Sequence, residues 1–214
     1  MLHKSVRPAL LGALVLAAVV LPTSSAMSAS GGGCQLQGTA NLNPGLSNSS
    51  QNFNYSFSGA LSSCQSSTAG DPASGSVEAG KTVTAQVVNS ITGATDTVTY
   101  QEPVPSGTGS CASSTTSGTA IVTWSDATKT VIGYSTTGAL AAVDLSGSVV
   151  PSVTLTATNA QAGDPTTLTI STTRYAGESA TGLLAFQPPD PTACAGAGVT
   201  TAGISGVVGI GTSS

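Results

Sequence analysis

Two short runs, Thr119-Ala-Ile-Val-Thr-Trp124 and Thr130-Val-Ile-Gly-Tyr134, decide the fold class of this chain. Both are rich in β-branched and aromatic residues, which favour strands over helices. The segment between them, Ser125-Asp-Ala-Thr-Lys129, is polar and short enough to be a hairpin loop. The sequence therefore predicts an antiparallel hairpin here.

Similar segments recur along the rest of the chain, whereas no stretch after residue 30 shows a sustained 3.6-residue apolar period with caps. One of them places Phe53, Tyr55 and Phe57 on a single face, which favours a place in the core. About ten short strands with frequent turns predict an all-β fold, an antiparallel β-sandwich or barrel, with an immunoglobulin-like sandwich among the alternatives. The predicted strands lie at 34–42, 52–61, 82–88, 97–100, 119–124, 130–134, 148–150, 153–157, 167–171, 183–186 and 203–210.

The N-terminus has the pattern of a secretory signal peptide. Lys4 and Arg7 precede an apolar run over 9–21, Pro22 ends it, and Ser24-Ser-Ala26 offers small residues for cleavage. We expect a signal peptide at 1–26, a flexible leader at 27–33 and a single β domain at 34–214. Neither end carries a lipidation signal or a second apolar anchor, so a secreted protein is expected.

Charge excludes two classes of partner. Lys4 and Arg7 would leave with the signal peptide, so three cations (Lys81, Lys129 and Arg174) would remain against nine carboxylates, a net charge of −6 instead of −4. Nucleic acids and anionic membranes are bound by clustered Lys and Arg, and three scattered cations form no cluster. The surface is expected to be solvated mainly by Ser and Thr hydroxyls.

Four cysteines, Cys34, Cys64, Cys111 and Cys194, follow the export signal. An even number in this context predicts two disulfides, for which three pairings exist. We favour Cys34–Cys64 with Cys111–Cys194, because the first pair brackets one hairpin-like unit. A metal site is the weaker alternative, since no two cysteines are close in sequence.

The sequence lacks the residues that most catalytic mechanisms require. His3 is the only histidine and lies in the signal peptide, which removes histidine-activated nucleophiles and histidine-based metal sites. We therefore predict no catalytic residue, no cofactor and no metal. The remaining route is a pair of carboxylates, as in glycosidases, and the pairs to examine are Asp96 with Glu102 and Asp126 with Asp144.

Trp124 and Tyr134 lie on neighbouring predicted strands and are the candidate ligand-binding residues. They could form an aromatic platform for a carbohydrate, a peptide or a cell-envelope component, although a lone Trp in a β fold is more often part of the core. Tyr55-Ser-Phe-Ser-Gly-Ala-Leu61 is echoed by Tyr134-Ser-Thr-Thr-Gly-Ala-Leu140, which raises the alternative of an internal duplication. Ala69-Gly-Asp-Pro72 and Ala162-Gly-Asp-Pro165 predict two tight turns.

Two stretches carry a resemblance: Cys34-Gln-Leu-Gln-Gly-Thr-Ala-Asn-Leu-Asn-Pro-Gly-Leu46 and Tyr55-Ser-Phe-Ser-Gly-Ala-Leu-Ser-Ser-Cys64. With Pro191-Thr-Ala-Cys194 they resemble small secreted β-rich proteins of unknown function from high-GC Gram-positive bacteria, which implies no particular activity. Secretion, acidity and two disulfides are also similar to the neocarzinostatin-type chromophore carriers. In those carriers the disulfides close short loops, whereas the cysteines here are at least 30 residues apart.

Three hypotheses follow. The leading one is a secreted non-enzymatic β-sandwich protein that binds a partner or belongs to the cell envelope. The second is a small-molecule carrier, which requires an apolar cleft large enough for a ligand. The third is a carboxylate-based glycosidase, which requires two acids facing one groove.

Overall fold

The computed structural model describes residues 32–211, so the predicted signal peptide and residues 27–31 of the predicted leader lie outside the described residues. Within that range the chain forms thirteen strands, all paired antiparallel, and one 3₁₀ turn at Pro191–Ala195. The strands are β1 (Gly32–Leu46), β2 (Gln51–Gln65), β3 (Gly75–Ala79), β4 (Thr82–Val88), β5 (Thr95–Gln101), β6 (Ser106–Gly109), β7 (Ser113–Trp124), β8 (Lys129–Ala139), β9 (Ala142–Val150), β10 (Ser152–Ala157), β11 (Thr167–Ser171), β12 (Ser179–Gln187) and β13 (Val199–Ile210).

Eight strands close into a barrel in the order β1-β13-β12-β9-β8-β7-β3-β2, because β2 pairs back onto β1. The short strand β6 continues the wall beyond the end of β3 and also bridges β2 and β7. Of the two predicted architectures the barrel is the one that forms, and no immunoglobulin-like sandwich is seen over 32–211. The reason is that the long strands β1 and β2 pair along most of their length and join the two edges of the sheet.

A second sheet, in the order β11-β10-β5-β4, forms a half-barrel against the outside of β7 and β8. Ile121 on β7 and Val131 on β8 point outward and pack against the buried Val98, Tyr100 and Leu155 of that sheet. The predicted hairpin is confirmed, with Ile121 opposite Val131. Its continuous apolar runs are explained by burial on both faces, inside the barrel and beneath the half-barrel.

Both predicted disulfides form. Cys34–Cys64 joins the start of β1 to the end of β2, and Cys111–Cys194 joins the segment before β7 to the 3₁₀ turn. The two disulfides lie at opposite ends of the barrel. Within residues 32–211 no helix has the length and apolar character needed to cross a membrane.

The contact between β1 and β2 depends on two glycines that face each other, Gly38 and Gly59. The ring of Phe57 lies across both, and a methyl group added at either glycine would meet it at 2.5 Å or 2.8 Å. At Gly38 the Ser58 carbonyl oxygen also lies 2.5 Å from that position. The two glycines therefore let an aromatic ring lie flat along the inner wall.

We expect Gly38→Ala to lower the free energy of unfolding by roughly 1–3 kcal/mol, because the added methyl group overlaps a ring and a backbone carbonyl. Urea denaturation measures the change. The matched control is Gly33→Ala in the same strand, where no atom lies within 4 Å of the added carbon; its effect should stay within about 0.5 kcal/mol. Equal effects from the two substitutions would contradict this account of the β1–β2 contact.

Candidate functional site

A cavity of about 160 Å³ lies inside the barrel. Its surface is almost wholly apolar and comes from inward-facing side chains of the barrel strands. The lining side chains on β8, β9, β12 and β13 are mostly partly exposed. Those on β1, β2, β3 and β7 are mostly buried. The partly exposed apolar side chains of the first group are Ile132, Val143, Leu145, Phe186, Ile204 and Val208.

Small residues at inward positions leave this space unfilled. Gly182 lies opposite Leu145 on one side and Val208 on the other, and contributes no side chain to the interior. A methyl group at Gly182 would lie 3.0 Å from Val208 Cγ1, so Val208 already leans over the glycine. Further inward positions carry glycine or alanine, namely Gly38, Ala40, Gly59, Ala79, Ala120, Gly147, Ala180, Ala202 and Gly206.

The apolar lining also contains a few hydroxyl-bearing side chains, four of which form a connected chain; Ser114 and Thr181 are the others. Tyr134 Oη lies 2.7 Å from Tyr55 Oη, Tyr55 Oη lies 3.1 Å from Thr116 Oγ1, and Thr116 Oγ1 lies 2.8 Å from Thr136 Oγ1. The residues come from β2, β7 and β8, and all four line the cavity. The hydroxyl chain therefore places hydrogen-bonding groups along one side of an otherwise apolar space.

Burial keeps the phenols of the hydroxyl chain protonated. It raises the pKa of Tyr134, and the nearby Tyr55 raises it further. Burial also raises the pKa of Tyr55, although its hydrogen bonds with Thr116 and Tyr134 act in the opposite direction. No charged residue is among those that line the cavity. The site can therefore offer neutral donors and acceptors to a ligand.

Of the two predicted ligand-binding residues, only Tyr134 lines the cavity. Trp124 is the last residue of β7 and is 4% exposed. Its Nε1 donates to Thr130 Oγ1 at 2.8 Å, and its ring packs edge-on against the Tyr175 ring with the centres 5.4 Å apart. Tyr134 pairs with Gly118, six residues before Trp124, so the two aromatics lie roughly 20 Å apart along the wall. They do not form a shared platform, and Trp124 belongs to the core.

An ion-pair cluster fastens the end of the barrel that holds Trp124. Arg174 donates to Asp71 Oδ1 at 2.7 Å and to Asp126 Oδ2 at 2.6 Å. The Arg174 guanidinium also lies 5.6 Å from the centre of the Tyr175 ring, which packs on Trp124. Arg174 therefore joins the loops that carry Asp71 and Asp126 to the segment after β11.

Neither predicted carboxylate pair is brought together. Asp96 accepts from Asn89 Nδ2 near the start of β5, whereas Glu102 follows the end of the same strand, roughly 20 Å away. Asp144 is exposed on the outer face of β9 opposite Thr137, roughly 25 Å along the wall from Asp126. The separations are well beyond the 5–10 Å range of glycosidase pairs.

Glu102 is the most unusual of these acids, because only 3% of it is exposed. Its Oε2 accepts from the backbone N–H of Lys81 at 3.0 Å, whereas its Oε1 has no hydrogen-bond partner within residues 32–211. Burial is the largest influence on its pKa and raises it, and the charge of Glu78 acts in the same direction. The folded protein therefore holds the proton of this carboxyl more tightly than the unfolded chain does.

Nothing in the local sequence marks Thr116 or Thr136 as a site residue, and the alternation of Phe53, Tyr55 and Phe57 favours a core position for Tyr55. The repeated Tyr-Ser-x-x-Gly-Ala-Leu string was the available signal, since the tyrosines that begin its two copies, Tyr55 and Tyr134, bond to each other. The copies are not equivalent in structure: Leu61 is buried in β2, whereas Leu140 is 78% exposed in a turn.

Within the described range, no group of three or more His, Cys, Asp or Glu side chains could hold a metal ion. Comparison with family models, with curated proteins and with solved structures finds no match to this chain.

The raised pKa of Glu102 predicts a pH dependence of stability. Because the folded-state pKa lies above the unfolded value, the contribution of Glu102 is fully present below about pH 4.5 and is lost as the pH rises through the raised pKa. In Glu102→Gln this loss cannot occur. The free energy of unfolding of the variant, relative to wild type, should therefore increase from pH 4.5 to neutral pH.

Urea unfolding across this pH range measures the difference between the two proteins. Asp144→Asn is the matched control, since it removes an exposed carboxylate from the outer face of β9. A difference between Glu102→Gln and wild type that stays flat or shrinks with rising pH would contradict the interpretation of Glu102.

Proposed function

We propose that this protein is a secreted, non-enzymatic binding protein that holds one small apolar molecule inside its barrel. The observation that carries the proposal is the cavity of about 160 Å³ with an almost wholly apolar surface. An eight-stranded barrel has an interior that side chains can just fill or that can hold one small ligand. The inward glycines and alanines of this chain favour the second outcome.

The cavity volume limits the ligand. An engineered cavity of about 150 Å³ lined by Leu, Ile and Phe stays dry and binds benzene. A space of similar size and lining therefore suits a molecule built around one six-membered ring with a short substituent. Burial of its apolar surface would supply the main driving force for binding.

Secretion is supported by the N-terminal pattern and by the two disulfides, since disulfides persist in oxidising compartments. The absence of an enzymatic role is supported by the large separation of Asp96 from Glu102 and of Asp126 from Asp144. No feature of residues 32–211 specifically favours the cell-envelope hypothesis, whereas the cavity directly favours a small-molecule carrier. The carrier hypothesis is therefore preferred.

Binding of toluene tests the proposal. At a toluene concentration ten times its Kd, the Tm of the protein should rise by about 3–6 °C, because a ligand that binds only the folded state stabilises it. Val208→Phe places a ring in the cavity and should abolish the rise. The matched control is Val207→Phe, the neighbouring outward-facing residue of β13, which is 49% exposed; it should keep the rise.

Two outcomes would contradict the proposal. One is a wild-type Tm that does not respond to toluene, with no toluene-dependent shifts in the NMR signals of cavity methyl groups. The other is an equal loss of the Tm rise in Val208→Phe and Val207→Phe, which would place toluene outside the barrel.

A further inference from the structure

The hydroxyl chain contains more hydrogen-bonding capacity than it uses. Four hydroxyl groups carry four hydrogens, and the three contacts that join them use three. When the three hydrogen bonds all point the same way, one hydrogen is left at one end of the chain and the oxygen at the other end keeps free lone pairs. Because hydroxyl hydrogens rotate, the chain can run in either direction.

The ends of the chain are Tyr134 and Thr136, two positions apart on β8 and both facing the cavity. Within residues 32–211 the hydroxyls of Tyr134 and Thr136 have no hydrogen-bond partner outside the hydroxyl chain. A buried hydroxyl without its full complement of hydrogen bonds is unfavourable in an apolar space. A polar atom of a ligand, placed between these ends, would relieve that cost.

We infer that the hydroxyl chain selects, among apolar molecules of suitable size, a neutral one that carries a single hydroxyl or carbonyl oxygen. A hydroxyl-bearing ligand can donate to one end of the chain or accept from the other, whichever direction the chain takes. A carbonyl-bearing ligand accepts the one free hydrogen. The inference rests on the proposed function, since it names the ligand class of the same cavity.

Charged ligands are disfavoured by the same surroundings. No lining residue carries a charge that could pair with an ion, and moving an isolated ion into an apolar space is far more costly than moving a hydroxyl group. The tyrosines of the chain stay protonated because burial raises their pKa. The ligand and its site are therefore both neutral.

Benzyl alcohol and ethylbenzene form a suitable pair of probes, because they differ only by a hydroxyl in place of a methyl group. Kd values for both are measured by NMR titration against wild type and against the variant that lacks all four hydroxyls of the chain, Tyr55→Phe, Thr116→Val, Tyr134→Phe and Thr136→Val, because a shorter chain would still keep one free hydrogen. Removing all four hydroxyls should weaken the binding of benzyl alcohol relative to that of ethylbenzene by roughly two- to tenfold, the worth of one net hydrogen bond. Ethylbenzene itself should bind the variant at least as tightly as wild type.

The matched control is the double variant Tyr100→Phe with Thr137→Val. Tyr100 donates to the Pro165 carbonyl oxygen in the outer core, and Thr137 is the exposed neighbour of Thr136. This control should leave the ratio of the two Kd values unchanged. It removes the same kinds of hydroxyl group without touching the cavity.

The outcomes separate the two proposals. If both probes bind wild type and the ratio is the same in all three proteins, the inference is overturned and the proposed function stands. If neither probe binds wild type, the proposed function is overturned and the inference with it. If the ratio changes equally in the control variant, the effect does not come from the hydroxyl chain, and the inference is overturned.

Discussion

The pairing of β1 with β2 is the constraint on which the rest of the structure depends, because it turns an open sheet into a closed ring. The register places Gly38 directly opposite Gly59, and Phe57 lies across both. Closure satisfies the backbone groups along both outer strands and removes the exposed edges of an open sheet. The Cys34–Cys64 disulfide holds the same two strands at one end, so the closure is covalent as well as hydrogen-bonded.

Closure also decides what the interior can be. The diameter of an eight-stranded barrel is set by its backbone, so side-chain size determines how much of the interior is filled. Large inward residues such as Leu145 and Val208 alternate with small ones such as Gly182, and a cavity remains between them. The same closure brings Tyr55 of β2 within 2.7 Å of Tyr134 of β8, although 79 residues separate them. The apolar space and its hydroxyl chain both depend on the closure of the barrel.

The outer half-barrel explains a local pattern that the ring alone does not. Ile121 and Val131 point away from the cavity, and without the second sheet they would be exposed to water. Their burial under Val98, Tyr100 and Leu155 is why the hairpin decided the fold class so clearly, since both of its faces are apolar. By contrast, β3 and β6 were not predicted. They consist of four or five residues, mostly Gly, Ser, Thr and Ala, and owe their strand conformation to pairing with β2 and β7.

Local residue patterns by themselves determined the all-β class and the hairpin of β7 and β8; the favoured disulfide pairing also proved correct. These properties follow from side-chain shape and short-range periodicity, which a strand has before it pairs with its partners. Only the tertiary structure decided that the sheet closes, that Trp124 is core while Tyr134 faces a cavity, and that Thr116 and Thr136 join the tyrosines. The physical reason is that register between distant strands selects which side chains meet, and no local pattern in the sequence specifies that register.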